Sequence, residues 1–290
     1  MDSTAPSSRD DAGRLAPIRR RIDAATLYRP ATLLYVGGIT LMLVPLLTLF
    51  DILVARAFEV TSLPREVTET IELSLIFSHG TGVTLILIAL LTLAPQHRWH
   101  VPRLATLAFG GSAIATIVKM FVLRPRPSLV HLDHATHEPA WLWVFDWDLS
   151  QIAMFEPSTR AFPSGHVVTA TALAIGLGVL LPRGRALFAC LWFGVMVHRM
   201  ESAQHFLSDV CGGVAFGLLW SYVCFHPKLL GLVFDRMVPD KRAQRRRKKS
   251  SVRHDVPSSE SNDQAAATAT DHANDDEVSE SWEDDVERAA

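Results

Sequence analysis

Apolar residues in this chain gather in runs that are too long and too free of charge to be core helices of an ordinary soluble domain. Crossing the hydrocarbon layer of a bilayer takes roughly 20 apolar residues in a helix. Six stretches approach that length: 31–50, 73–94, 104–122, 167–181, 186–197 and 206–225. The fourth and fifth reach it only if each helix extends into its polar flank. The expected fold class is therefore all-α, an integral membrane bundle of six transmembrane helices over residues 31–227. An N-terminal arm, 1–30, precedes it and a tail, 228–290, follows.

The net charge of -2 conceals a strong asymmetry. Basic residues crowd the arm (Arg19, Arg20, Arg21) and the run 241–249, while acidic residues crowd the last few dozen positions. Six spans put both termini on one side, together with Arg98, Arg103, Arg183 and Arg185. Loops rich in Lys and Arg stay cytoplasmic, so the termini are expected there, in a multi-pass protein of the inner membrane. The segment 123–164 and the turn between the fifth and sixth runs then face outward. The basic run is expected to touch anionic lipid, with no nucleic-acid partner. From residue 250 onward Ser, Asp, Glu and Ala predominate, which cannot bury a core and predicts disorder. A short amphipathic piece is expected just beyond Pro227. The arm lacks a short apolar region ahead of a cleavage site, so the first run is expected to stay as a span. Cys190, Cys211 and Cys224 lie inside apolar runs and read as small buried hydrophobes rather than a disulfide or metal framework.

Three polar clusters fall on the outward side. The first is Lys119 followed by Arg124-Pro125-Arg126-Pro127. A residue before proline avoids the α region, so the third helix should break at about Leu123. By itself this cluster could also be basic side chains reaching for headgroups. The second is Pro163-Ser164-Gly165-His166 at the start of the fourth helix. Ser caps free N–H groups there, and a helix N-terminus beside glycine favours an anion. The third is Arg199, His205 and Asp209. A spacing of four puts His205 and Asp209 on one helical face, where a carboxylate could fix the imidazole tautomer and free the other nitrogen to attack; a plain helix-end ion pair is the alternative.

Taken together these residues read Lys119-x6-Arg126-Pro127, Pro163-Ser164-Gly165-His166 and Arg199-x5-His205-x3-Asp209. The pattern resembles the three-part signature of the PAP2 (type-2 phosphatidic acid phosphatase) superfamily, which includes bacterial lipid phosphatases and vanadium haloperoxidases. One departure is His198, where the family usually has Ser. The resemblance implies that His205 is a nucleophile forming a phosphohistidine, that Asp209 orients it, and that His166 protonates the leaving oxygen. It further implies that Lys119, Arg126, Arg199 and the backbone around Ser164 and Gly165 hold the phosphoryl oxygens. Phosphoryl transfer needs positioning and positive charge around those oxygens, which three cations and a helix N-terminus provide with no metal and no cofactor.

All three clusters lie within about a turn of a helix end, at headgroup depth. The expected partner is therefore a membrane lipid phosphate of the undecaprenyl pyrophosphate, phosphatidylglycerol phosphate, phosphatidic acid or lipid A phosphate type. Two other functions use the same residues: a phosphotransferase with a lipid hydroxyl or sugar as acceptor, and a lipid transporter without catalysis. Weaker features are the histidines of 131–137, a solvated loop or a zinc site; Trp141, Trp143, Phe145 and Trp147, an interfacial belt or a lid; and His79, a buried hydrogen-bonded histidine or a proton relay.

Overall fold

A computed structural model describes residues 28–61, 63–130, 132, 143–145 and 157–238. Helix α1 (Pro30–Leu47) continues through a 3-10 turn at Thr48–Phe50 into α2 (Asp51–Val60). The first span is thus longer than the run 31–50 alone: Pro30–Val60 is one apolar stretch of 31 residues, and Asp51 sits inside it rather than in a connection. Helix α3 (Arg65–Leu73), with a 3-10 turn at Ser74–Phe77, is followed by α4 (Gly80–Leu93) at a bend of 64°. Then come α5 (Val101–Phe121), α6 (Gly165–Leu180), α7 (Arg185–Glu201), α8 (Leu207–Phe225) and α9 (Leu230–Met237). The last is the short amphipathic piece expected beyond Pro227. Arg103 holds it, donating to the Gly231 carbonyl at 3.2 Å and to the Asp235 carboxylate, while stacking over Phe225 and Phe234.

Among the described residues, three helical stretches are long and apolar enough to cross a membrane, and the bent pair makes a fourth. Helix α6 is apolar but has only 16 residues. Helix α7 reaches its 17 residues by extending from Arg185 to Glu201, into both polar flanks. Large apolar side chains such as Tyr35, Ile39, Met42, Leu85 and Leu187 point outward, the arrangement of a surface covered by hydrocarbon. One small departure from an all-helical fold follows from proline: α5 stops at Phe121, ahead of Arg124-Pro125, and Val122–Leu123 pairs antiparallel with Val144–Phe145.

The core is built around α6 and α8, whose close approach rests on glycine. A Cβ at Gly212 would fall 2.2 Å from the Phe162 ring, one at Gly213 would be 2.8 Å from the Ser164 carbonyl oxygen, and one at Gly217 2.6 Å from Thr171 Cβ. Small residues let membrane helices pack backbone to backbone where no hydrophobic force distinguishes protein from lipid. Indole N–H groups tie the neighbours in: Trp192 donates to Thr171 Oγ1 at 2.9 Å, and Trp220 to the Thr106 carbonyl at 3.0 Å. Of the cysteines, Cys224 is buried and Cys211 partly so, but Cys190 is exposed on the outer face of α7.

Candidate active site

The three clusters converge where α5 ends and α6 and α8 begin. Main-chain bonds stitch them together. The Ser164 N–H donates to the Asp209 carbonyl at 3.1 Å, joining the second cluster to the third. Arg124 and Ala161 exchange the strap after α5 with the segment leading into α6: the Arg124 N–H donates to the Thr159 carbonyl at 2.7 Å and the Ala161 N–H to the Arg124 carbonyl at 2.9 Å. The Ser128 N–H reaches the Ala203 carbonyl at 3.1 Å, tying that strap to the turn between α7 and α8. In that turn Ala203 adopts φ 50°, a left-handed conformation that non-glycine residues rarely hold except where surrounding structure demands it. The reversal brings the His205 N–H to the Arg199 carbonyl at 3.2 Å.

Around this frame the charged groups form one electrostatic unit. Lys119 lies within reach of the charges on Asp209, Arg126 and Arg199. His166 is coupled to Arg199, His205, His79 and His198. The cations are not equally free. Lys119 Nζ donates to the carbonyls of Arg160 at 2.5 Å and Ala161 at 3.3 Å, just ahead of Ser164, and Arg126 donates to Gln204 Oε1. Arg199 Nε is buried with no partner among the described residues.

His205 is buried on the turn preceding α8, with Nδ1 3.8 Å from Asp209 Oδ2. That is ion-pair range and longer than a hydrogen bond. Burial dominates its titration: removal from water pushes the imidazole down to about 4, against the opposing pull of Asp209. Asp209 in turn is spent on other donors. Its Oδ2 accepts the Phe206 N–H at 2.9 Å, and its Oδ1 accepts from Arg124.

Arg124 is the residue that the sequence reading undervalued. Instead of reaching for headgroups it is fully buried. Its guanidinium binds Asp209, Asp51 and, at 2.8 Å, Ser208 Oγ, and it lies 4.5 Å from the Trp143 ring centre and 4.9 Å from that of Phe206. Asp51 also accepts the Ser208 N–H at 2.9 Å and its hydroxyl at 2.5 Å. Asp51, Arg124 and Ser208 thus form a supporting layer beneath Asp209. A signal for Asp51 did exist: a carboxylate within an apolar stretch long enough to span a bilayer is costly and usually functional. Trp143 packs inward on this layer and against Phe162 rather than standing in an interfacial belt. Trp141, Trp147, the histidines of 131–137 and the run 241–249 lie outside the described residues.

Ser164 stands at the N-cap position of α6 with an extended backbone, but its side chain makes no capping bond. The hydroxyl is fully buried and without a partner among the described residues. Losing a true cap costs about 1 kcal/mol, whereas removing an unpaired buried hydroxyl is near neutral or stabilising. Ser164→Ala is therefore expected to leave the thermal denaturation temperature in detergent unchanged or raised. A clear loss of stability would restore the capping role.

Two imidazoles, a carboxylate and several cations thus gather at the ends of apolar helices. Residues 99–228, less than half of the chain, match the model of the PAP2 superfamily. It is similar to the lipid A 1-phosphatase of Rhizobium johnstonii (strain DSM 114642 / LMG 32736 / 3841), at 32% identity over 120 residues, 40% of this chain and 42% of that one. It is also similar to the lipid A 1-phosphatase of Rhizobium etli (strain ATCC 51251 / DSM 11541 / JCM 21823 / NBRC 15573 / CFN 42), at 31% identity over 116 residues, 39% of this chain and 43% of that one. The chain thus matches less than half the length of these relatives. Among solved structures, the transmembrane PAP2 type phosphatidylglycerolphosphate phosphatase from Bacillus subtilis aligns with 74% of this chain and 99% of its own, at 16% identity and a TM-score of 0.45.

Proposed function

We propose that the chain is a membrane-embedded phosphatase that removes a phosphate from a lipid headgroup through a phosphohistidine on His205. The observation that carries this reading is the convergence of His205, His166, Lys119, Arg126 and Arg199 into one electrostatic unit beside a buried Ser164 hydroxyl that has no partner among the described residues. In the first step the free His205 nitrogen bonds to phosphorus, the bond to the lipid oxygen breaks, and His166 gives that oxygen its proton. Water then attacks phosphorus, the P–N bond breaks, and His166 takes the proton from the water. Lys119, Arg126, Arg199 and the Gly165 N–H offset the charge on the phosphoryl oxygens, the Ser164 N–H being engaged by the Asp209 carbonyl. The lipid A 1-phosphatases favour a glycolipid 1-phosphate as substrate, with undecaprenyl pyrophosphate, phosphatidylglycerol phosphate and phosphatidic acid as the other lipids of the right shape.

In this reading the domain 31–227 crosses the inner membrane six times, α6 and α7 completing the set, between a cytoplasmic arm at 1–30 and a cytoplasmic tail. The site then opens on the extracytoplasmic face. The test is phosphate release by the purified protein in detergent, across a panel of lipid phosphates and with no added metal. Release from none of them, with the protein folded, removes the proposal.

The buried state of His205 sets an expected pH dependence. Its folded pKa, about 4, lies below the ordinary 6.5, so the nucleophile stays uncharged from pH 8 down to about pH 5. Below about pH 4 the rate is expected to fall tenfold per pH unit. By linkage, the stability this neutral imidazole contributes is present above 6.5 and lost as pH falls through 4. An acid limb in kcat/KM arising from His205 with a midpoint near 6.5 would contradict the buried, neutral assignment. The limb is assigned by comparing the profile with that of a variant in which another group titrates.

A further inference from the structure

His79 is outside the helix and exposed, contrary to its expectation as a buried helical histidine. It occupies the N-cap position of α4, at the bend between α3 and α4, where Ser78 and His79 interrupt the helical path. Its Nδ1 lies 3.0 Å from Thr81 Oγ1, which fixes the ring, and no other polar partner meets it among the described residues. Its ring centre is 6.3 Å from that of His166, with the planes 37° apart. That separation is too long for a direct hydrogen bond between the rings, and it leaves room for one oxygen atom between them. Thr81 Oγ1 occupies Nδ1, which leaves Nε2 as the nitrogen open to a ligand.

Under the reading given above, His166 marks the side of the phosphorus from which the leaving oxygen departs. His79 neighbours His166, the group assigned to the leaving oxygen, whereas His205 and Asp209 are assigned to the attack. We infer that His79 binds the leaving group, donating a hydrogen bond to an oxygen next to the bridging one. The chemistry it selects is a headgroup with such a second acceptor: the inner phosphate of a lipid diphosphate, or a ring oxygen or hydroxyl of a glycolipid 1-phosphate. A simple alkyl phosphate has no such atom. This inference rests on the proposed phosphatase and names the kind of substrate that its site prefers.

The experiment compares three substrates in detergent: a lipid diphosphate, a glycolipid 1-phosphate and an alkyl monophosphate of matched chain. His79→Ala is expected to raise KM about tenfold, the loss of one hydrogen bond to a charged or strongly polar oxygen, on whichever of the first two the wild type uses best. On the alkyl monophosphate the change is expected to stay within about twofold. His79→Gln, which keeps a side-chain donor, is expected to recover most of the loss, and Thr81→Val, which frees the ring, to reproduce part of it. The substrate showing the selective effect distinguishes diphosphate from sugar. Equal losses on all three substrates, no loss on any, or a wild type acting on the alkyl monophosphate alone overturns the inference. A wild type that releases phosphate from none of the three instead counts against the phosphatase reading itself. If His79→Ala does not fold, the Gln and Val variants carry the same comparison.

Discussion

Replacing His205 with alanine is expected to lower phosphate release by at least about 10^4-fold, the scale on which removal of a covalent nucleophile acts. The substitution removes a group that is buried, uncharged at neutral pH and placed against a carboxylate. The cations that would bind the phosphate remain, so the loss is expected in kcat with KM little changed. Rapid acid-sensitive labelling by a phosphate-labelled substrate should be present in the wild type and absent in His205→Ala. Retention of wild-type turnover would falsify the phosphohistidine mechanism, whatever the substrate. His166→Ala is the informative companion. It keeps the nucleophile, so its defect should shrink for substrates with an acidic leaving group that needs no proton.

Replacing Arg124 with methionine is expected to cost about 3–5 kcal/mol, because it strips the positive charge from two fully buried carboxylates. Asp51 and Asp209 are both inaccessible to solvent, and the guanidinium fork serves one with each terminal nitrogen. Lysine at 124 offers a point charge on a flexible stem and cannot bridge both carboxylates in the same plane. It would also lose the stacking on Trp143 and Phe206. The measurements are the thermal denaturation temperature in detergent and kcat on the best substrate. Both are expected to fall, the second because Asp209 would reorient towards whatever donors remain. The pairing is tested by combining Arg124→Met with Asp51→Asn. Removing one of the stranded charges should return part of the lost stability, a non-additivity expected only of groups in contact. An Arg124→Met protein as stable and as active as the wild type would show that the buried triad does not matter.

The parts legible in the sequence were those that repeat a local rule. Apolar run length announced the long helical stretches at Pro30–Val60, Pro95–Phe121 and Leu207–Phe225, and Arg124-Pro125 announced the end of α5 because proline restricts the residue before it. The three polar clusters were also legible, since their His, Arg and Ser residues fall into ordered spacings near helix ends. Partnership across the bundle was not. Asp51 lies far along the chain from Ser208, and no spacing rule links the two. The position of His79 depends on a 64° bend that no proline marks, so an apolar run suggested a continuous helix there. Ser164 had the sequence context of a cap, yet its side chain makes no capping bond. Arg126 and Gln204 met by the same kind of long-range folding, through a turn whose left-handed Ala203 has no glycine to advertise it.

Asp51 belongs to the first span, well outside the segment 99–228 that carries the superfamily match, and yet its carboxylate grips Arg124 beneath the reacting groups. A module excised at residue 99 would leave with the histidines proposed to act and without the counter-ion of Arg124. Transplanting this site into another scaffold, or splitting the protein for reconstitution, thus requires the amino-terminal helix to travel with it as a working component rather than as an anchor.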